Sequence, residues 1–520
     1  MASRSKHMAF LMQRFKGFWN QYKQSKRGVL GIIILLFFAV IAIGAPLLTP
    51  LDPMRPLWPG YYPSSRPRLA DKLCVPIWYK SLLGQQGLSE NMQVMEDNEF
   101  TSDEIFSTRW TWESSPPGYN VDVQYSSTKG EHYDDGCVLV SYARNASQAP
   151  PAGDEVVVTL KREFTFPYEE GPKSFYWHYS VYLENRTAPV EFPLGVQVLI
   201  RRTGETQRYT APDSARSLPA RTIVEQWYNK AGTTAGEGSS IEEDIFTQTG
   251  SYTYEIAITI ADDPDGPVDM TVRLDNTQLI LYGKAFGLLG TTSIPDASPR
   301  DIFTMLVYGS RISFLIGILT AVFSVLIGLA VGLLAGYLRG VVDEVMMRFA
   351  DFLLVIPGLP LLIILVTVLG KSIWNIIGVL IFLGWMGFSR SVRSMVLSLR
   401  ERPFIESAKA AGAGTMYIIY RHILPNVFAL VYISLATSVP GAIISEASLA
   451  WLGLGDIDIP SWGILLYDFS ATQVGALKSL ADYWFWVIPP GIAIALMAMS
   501  FILIGFALDE ILNPRLRARR

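Results

Sequence analysis

The sequence predicts an α-helical polytopic membrane protein with six transmembrane helices, and a β-rich, sandwich-like domain inserted between helices 1 and 2. Three observations carry this expectation. Six apolar runs approach the roughly 20 residues that a helix needs to cross a bilayer core of about 30 Å. Stretches that alternate apolar and polar residues fill the interval between the first run and the other five. Charge divides along the same line: residues 51–300 hold 34 acidic and 21 basic residues, which leaves 13 acidic and 22 basic in the remainder. The net charge of −4 therefore averages two unlike parts and argues for no nucleic-acid partner.

Residues 1–28 form a basic tail in which Arg4, Lys6, Arg14, Lys16, Lys23, Lys26 and Arg27 stand without an acid. The positive-inside rule puts such a tail in the cytoplasm. The run at 29–48, VLGIIILLFFAVIAIGAPLL, is the first span. Its length and long basic flank favour a retained anchor over a cleaved signal peptide.

Residues 49–290 have the grammar of an extracytoplasmic, mostly β domain. The lead TPLDPMRPLWPGYYPSSRPR is too rich in proline for a helix interior. Segments such as EVVVTLKREFTF, FYWHYSVYLE, YTYEIAITIA and MTVRLDNTQLILYG alternate as strands do, between breaks such as DDPDGP. A sandwich of about 150 residues is expected from them. Tyr176, Trp177, Tyr179 and Trp227 read as core rather than as a ligand platform. The two cysteines, Cys74 and Cys137, both fall here, and a disulfide and two separate thiols fit equally well. Asn145-Ala146-Ser147 and Asn185-Arg186-Thr187 match glycosylation acceptors. Four histidines and no Cys-x-x-Cys pair leave no zinc-site spacing.

Residues 291–508 carry the other five spans, expected at 312–338, 352–369, 373–388, 427–447 and 484–508, and 509–520 is a second basic tail. Six spans put both termini on one side. The loop around residues 390–421 carries Arg390, Arg393, Arg400, Arg402, Lys409 and Arg421, whereas the one near 455–482 has Asp456, Asp458, Asp468 and Asp482 against Lys478. The first is thus cytoplasmic and the second outside. In the second span GLAVGLLAG repeats small residues four apart, which suits close helix packing and is equally the ordinary glycine content of membrane helices. Pro440-Gly441 interrupts the fifth span, where a kink or re-entrant turn is expected. Glu446, just beyond, is a costly ionisable group at membrane depth. It suits either an outer gate or translocation path, with Pro440 and Gly441, or a carboxylate satisfying backbone amides freed by the break.

The segment at 401–426, ERPFIESAKAAGAGTMYIIYRHILPN, lies between two spans. A helix start after Pro403, good helix formers and then Gly412 and Gly414 as stops define one short helix, and TMYIIYRHILP a second that ends at Pro425. Two short helices at an elbow make a rigid knob. Ser407, Ala408, Ala410 and Ala411 leave its backbone approachable, with Glu406 and Lys409 beside them. LGKS at 369–372 lacks the first glycine of a phosphate loop, because Leu365 stands there, so the chain has no nucleotide site of its own.

ESAKAAG…HILP resembles the coupling motif of ABC-type importer permeases. Glu406, Ala408, Gly412, Leu424 and Pro425 fall in register, Ser407 replaces an alanine, and His422 holds an isoleucine position with Ile423 beside it. With DIFTMLVYGSRISFLIGI, RFADFLLVIPGLPLL, EASLAWLGLG, PSWG and LDEILNPRLR in order, residues 285–520 are similar to the C-type subunit of the oligopeptide/dipeptide/nickel transporter family. The family's short outer loop is here some 240 residues, and its usual Gly-Thr-Asp to Gly-Arg-Asp stretch reads GTTSIPDASPRD at 290–301.

The resemblance implies a type I ABC importer permease fold in the cell membrane. The permease would pair with a second permease subunit, two cytoplasmic ATPases that bind ATP and magnesium, and an extracytoplasmic substrate-binding protein. It implies no catalytic, metal or cofactor site in this chain. Peptides are the first substrate class implied, with oligosaccharides and nickel as alternatives; so few His and Cys give no sign of handling a bare metal. The insertion would dock the binding protein, dock the partner permease, or stiffen the assembly. A membrane-anchored receptor or sugar-binding surface protein is the rival class, and six spans with a structured inner knob exceed what an anchor needs.

Overall fold

A computed structural model describes residues 16, 19–54, 68–95, 100, 102–131, 136–185, 194–214, 216–218, 227–234, 241–293, 299–471 and 482–512. The basic C-terminal residues Arg515, Arg517, Arg519 and Arg520 and the side chain of Asn185 lie outside them. The chain divides into a helical unit and a strand unit.

The strand unit contains two six-stranded antiparallel sheets. One is built from β1 (Met92–Met95), β3 (Asn120–Ser126), β4 (Cys137–Arg144), β6 (Ser174–Asn185), β10 (Tyr228–Thr233) and β12 (Val268–Tyr282). The other holds β2 (Trp110–Ser115), β5 (Glu155–Phe166), β7 (Leu194–Arg202), β8 (Tyr209–Thr210), β9 (Arg216–Leu218) and β11 (Gly250–Ala261). One apolar cluster joins their inner faces, among them Trp177, Tyr179 and Val181 of β6 and Tyr252, Tyr254 and Ile256 of β11. The alternating pattern thus does make a sandwich, because period-two residues on each strand share the buried face. Trp177 and Tyr179 are core, as expected, whereas Tyr176 and Trp227 are only partly buried.

Cys74 and Cys137 are both buried and free. Cys74 donates to the carbonyls of Asp71 and Gly283, and Cys137 precedes Val138, which pairs with Leu274 on β12. Leu274 and Gly283 are nine residues apart along an extended chain, on the order of 30 Å, far beyond the roughly 7 Å limit for bridged Cα atoms. The disulfide is ruled out by that spacing.

In the helical unit, α1 (Lys26–Leu48), α2 (Ile302–Leu338), α5 (Ile373–Arg400), α7 (Thr415–Leu454) and α9 (Trp484–Leu512) are each long and apolar enough to cross a membrane. Between α2 and α5 come α3 (Gly340–Val355) and α4 (Gly358–Leu369), bent by 94° where they meet. Two short helices, α6 (Pro403–Ala410) and α8 (Trp462–Ala471), also belong to the unit.

Packing gives the direction of each helix. On α2, a Cβ at Gly328 would meet Trp385 and Phe388, at Gly332 Ser389 and Val392, and at Gly336 Val396. Numbers rise together, so α2 and α5 run parallel. Thr49 bonds Thr304 and Arg311 bonds Ala42 and Ile43, so α1 is antiparallel to α2. Gly317 faces Val439 and Ile443 while Leu333 and Tyr337 cluster with Val427 and Val431, so α7 is antiparallel to α2 as well; Gly28 faces Ala507 and Gly31 faces Ser500 and Ile504, so α9 is antiparallel to α1. The start of α1 and the ends of α2, α5 and α9 therefore share one end, and the chain between α2 and α5 must cross back. The bent pair makes that crossing.

The expected straight span at 352–369 is thus corrected. Pro357 forces Ile356 into an extended conformation (φ −75°, ψ 130°) and splits the run. The 12 residues of α4 reach only about 18 Å, less than the apolar core. The break expected at Pro440-Gly441 is corrected too: the helix continues through Pro440 to Leu449, widens over Ala450–Leu454 and turns at Gly453 (φ 77°).

Candidate functional site: the elbow at the shared helix end

The elbow is built on α5, which runs on to Arg400, well past the expected end at 388. Pro403 sits in the first turn of α6, where a missing N–H costs nothing. The helix ends at Ala410, and past the C-cap Ala411 comes Gly412, whose φ of 81° favours glycine. The Gly412 amide donates to the Lys409 carbonyl and the Ala413 amide to that of Ala408. This pair of bonds is a Schellman cap, and Ala408 and Ala413 both pack against the apolar cluster beneath it.

Only Ile405 of α6 is fully buried. It packs in a cluster with Tyr337, Val392, Val396, Ile418, Ile419, Ile423 and Val427, with Ala408 and Leu424 at its edge. Polar contacts fix the frame. Arg339 pairs with Glu401 at 2.9 Å, Arg400 donates to the Tyr337 carbonyl at 2.7 Å, and Lys409 stands 5.6 Å over the Tyr337 ring. Glu406, Ser407, Gly412 and Pro425 face outward, and the Ser407 hydroxyl turns back to the Pro403 carbonyl.

The second arm differs from expectation. Pro425 does not end a short helix; it lies in the first turn of Leu424–Leu449, preceded by a widened turn at Ile419–Ile423. The chain passes from elbow to span as one element, α7. Sequence reasoning also missed four exposed apolar residues around the knob, Phe404, Met416, Tyr417 and Tyr420. Phe404 and Tyr417 both lie within 6.3 Å of the His422 ring, centre to centre. Together with Glu406, Ser407 and Lys409 they make a surface with an apolar anchor and a charged rim, suited to a protein partner.

At the other end, Glu446 is buried on α7 and accepts from the Ser461 hydroxyl at 2.8 Å, while Ser461 caps α8 by accepting from the Ile464 amide. Glu446 thus holds α8 rather than amides freed at Pro440. The Trp462 indole donates to the Leu306 carbonyl, and Arg300 pairs with Asp468 at 3.0 Å. Burial pushes the Asp468 carboxyl up to about 6, against the opposing pull of Arg300. Among the described residues no cluster of His, Cys, Asp and Glu could hold a metal.

The start of α1, the end of α9 and the capped, exposed elbow thus share one end of the helical unit. The family profile described as "Binding-protein-dependent transport system inner membrane component" matches residues 328–518, and the "N-terminal TM domain of oligopeptide transport permease C" matches 13–64. The chain is 40% identical over 222 residues to the oligopeptide transport system permease protein OppC of Escherichia coli, covering 42% of this chain and 71% of that one. To the dipeptide transport system permease protein DppC of Bacillus subtilis it is 35% identical over 224 residues, covering 43% and 68%. Among solved structures, the MetNI methionine ABC transporter aligns at 20% identity with a TM-score of 0.30, over 39% of this chain and 96% of that one. A carbohydrate-binding module aligns at 9% identity with a TM-score of 0.24, over 37% and 62%. The chain belongs to the C-type family of oligopeptide and dipeptide transport permeases.

Proposed function

We propose that this chain is the C-type permease subunit of an ATP-driven importer of peptides. It forms half of the translocation path and takes its power from a cytoplasmic ATPase seated on the elbow. The observation that carries the reading is the elbow itself. Ile405 and the Schellman cap anchor it, and it leaves Glu406, Ser407, Phe404 and Tyr417 exposed on its outward face. Glu406 and Lys409 supply charge to that contact, Ala408 the close approach, Gly412 the corner, and Leu424 and Pro425 the junction to α7. Binding of ATP to the partner subunits, with magnesium, closes them on the knob and favours one tilt of the spans over the other, a population shift set by differential binding.

The end that bears Lys26, Arg339, Arg400, Arg402 and Lys409 is cytoplasmic by the positive-inside rule. The strand unit then belongs outside, because the chain leaves the bundle at Thr49 and returns at Arg300, away from the elbow. It docks the substrate-binding protein or the second permease subunit, with Asn145 as an exposed glycosylation acceptor. Glu446, below the outer rim, keeps α8 in place as part of the outer gate, with Pro440 and Gly441 on the same helix.

Reconstituted vesicles test the reading. The chain, its partner permease, two ATPases and the binding protein should import a labelled peptide mixture on addition of ATP. Glu406→Lys combined with Gly412→Pro should abolish both import and recovery of the ATPase. Import that survives an elbow replaced by a flexible linker refutes it. Deleting the strand unit should spare ATPase recovery and impair import.

A further inference from the structure

We infer that two ion pairs, Arg393–Asp343 and Arg390–Asp351, carry movement of the elbow to the bent third crossing, with Asp343 and Asp351 as positioning residues of the transport step. This rests on the reading of the elbow as the ATPase seat.

The bent crossing has a mechanical problem. Its apolar arm, α4, is too short to span alone, so α3 must supply the rest. Yet α3 shows a stripe of exposed apolar residues, with Val341 77%, Val345 61%, Phe352 64% and Val355 83% exposed. It is also bounded by backbone turns at both ends. Arg339 (φ 58°) precedes it and Gly340 (φ 62°) opens it, and a Cβ at Gly340 would meet nothing within 4 Å. Ile356-Pro357 follows it. A rod with a turn at each end moves with whatever holds its middle.

What holds the middle of α3 is α5. Ala350 and Leu353 pack on Trp385 and Met386, with Val331 of α2 at the edge, and the Phe349 ring stacks 6.4 Å from that of Trp385. Arg393 donates from Nε and Nη2 to the two oxygens of Asp343 at 2.5 and 2.6 Å. Arg390 pairs with Asp351. The arginines are three residues apart on one face of α5, and the aspartates eight apart on α3, about 12 Å along its axis. Apolar contact resists separation but permits sliding and rotation; two separated pairs, one of them bidentate, fix both. As stabilisers the half-exposed Arg390–Asp351 pair contributes little, and the Arg393–Asp343 pair, with Asp343 mostly buried, somewhat more. Their value is directional, and α5 is the helix that continues into the elbow at Arg400 and Glu401. A stroke on α6 that displaces α5 therefore displaces α3, and the bend at Pro357 relays it to α4.

The test uses the full reconstituted complex and measures peptide import, ATP hydrolysis and subunit recovery together. Asp343→Arg and Arg393→Asp should each leave recovery and ATP hydrolysis near the unaltered level, while peptide imported per ATP falls roughly tenfold, within the usual range of coupling between contacting residues. The double exchange, Asp343→Arg with Arg393→Asp, should restore most of it. Should a single exchange prevent assembly, Asp343→Asn, which keeps the shape and removes the charge, gives the same reading. Unchanged import per ATP in an assembled single variant overturns the inference, as does an assembled double exchange that fails to recover. Failure of the unaltered complex to recover an ATPase would instead defeat the reading of the elbow.

Discussion

Gly412 shows how much of the site depends on one backbone angle. Its φ of 81° costs an L-residue about 1–2 kcal/mol, and nothing lies within 4 Å of a Cβ there, so the penalty of substitution is purely conformational. Gly412→Ala should lower affinity for the ATPase roughly five- to thirtyfold in a pull-down titration, the factor equivalent to that energy. Gly414→Ala is the control: Gly414 is extended (φ −68°), with the same open space, and should bind as before. Asp468 titrates in the opposite sense to a stabilised carboxylate. Its native value, about 6, lies above the usual value of 3.8, so the fold favours the protonated form. Its contribution to stability is least at pH 7 and grows as pH falls through 6 towards 4. Asp468→Asn should therefore abolish that rise in melting temperature between about pH 7 and about pH 5, and lower the melting temperature overall because it leaves the mostly buried Arg300 unpaired. The motif residues of the elbow were legible in the sequence because their spacing is local. Phe404, Met416, Tyr417 and Tyr420 were not, since a large apolar side chain on a helix reads as core until the fold shows which face is left uncovered.

At the scale of elements, two prolines separate what hydropathy sees from what it misses. An apolar window sums over Pro357 and Pro440 alike. At Pro357 the preceding residue goes extended and the chain turns by 94°. At Pro440 the helix continues, held by Val439 and Ile443 in a cluster with Phe38, Ala321 and Trp462. Packing holds the helix at Pro440, and the local sequence signal that sets Pro357 apart is a second proline, Pro360, three residues after it. The glycine repeat of α2 was ambiguous in sequence, and the fold resolves it as a packing face. A Cβ at Gly332 would lie 2.6 Å from the Ser389 carbonyl oxygen and from Val392 Cβ. Gly332→Leu should separate α2 from α5 and sharply lower the amount of folded protein recovered from membranes. Gly44→Leu on α1, where nothing lies within 4 Å, should be recovered at the ordinary level.

At the scale of the whole chain, the division into a strand unit and a helical unit was written in charge and periodicity. The direction of each crossing was not, because it depends on which helices lie side by side. The parallel pair α2–α5 requires a crossing between them, and with it the elbow and both described ends of the bundle face one way, while the link to the strand unit faces the other. That geometry makes a prediction independent of any transport assay. The native thiols at Cys74 and Cys137 are buried and give little background to a membrane-impermeant maleimide. Asn145 and Ser407 are exposed, one in the strand unit and one on the elbow. In sealed right-side-out vesicles, Asn145→Cys should be labelled at once and Ser407→Cys only after permeabilisation. If the bent pair failed to cross, α5 would run the wrong way against α2, and the two variants would react on the same side. Equal labelling before permeabilisation would therefore break the crossing argument at α3–α4, where the chain departs most from what hydropathy alone suggests.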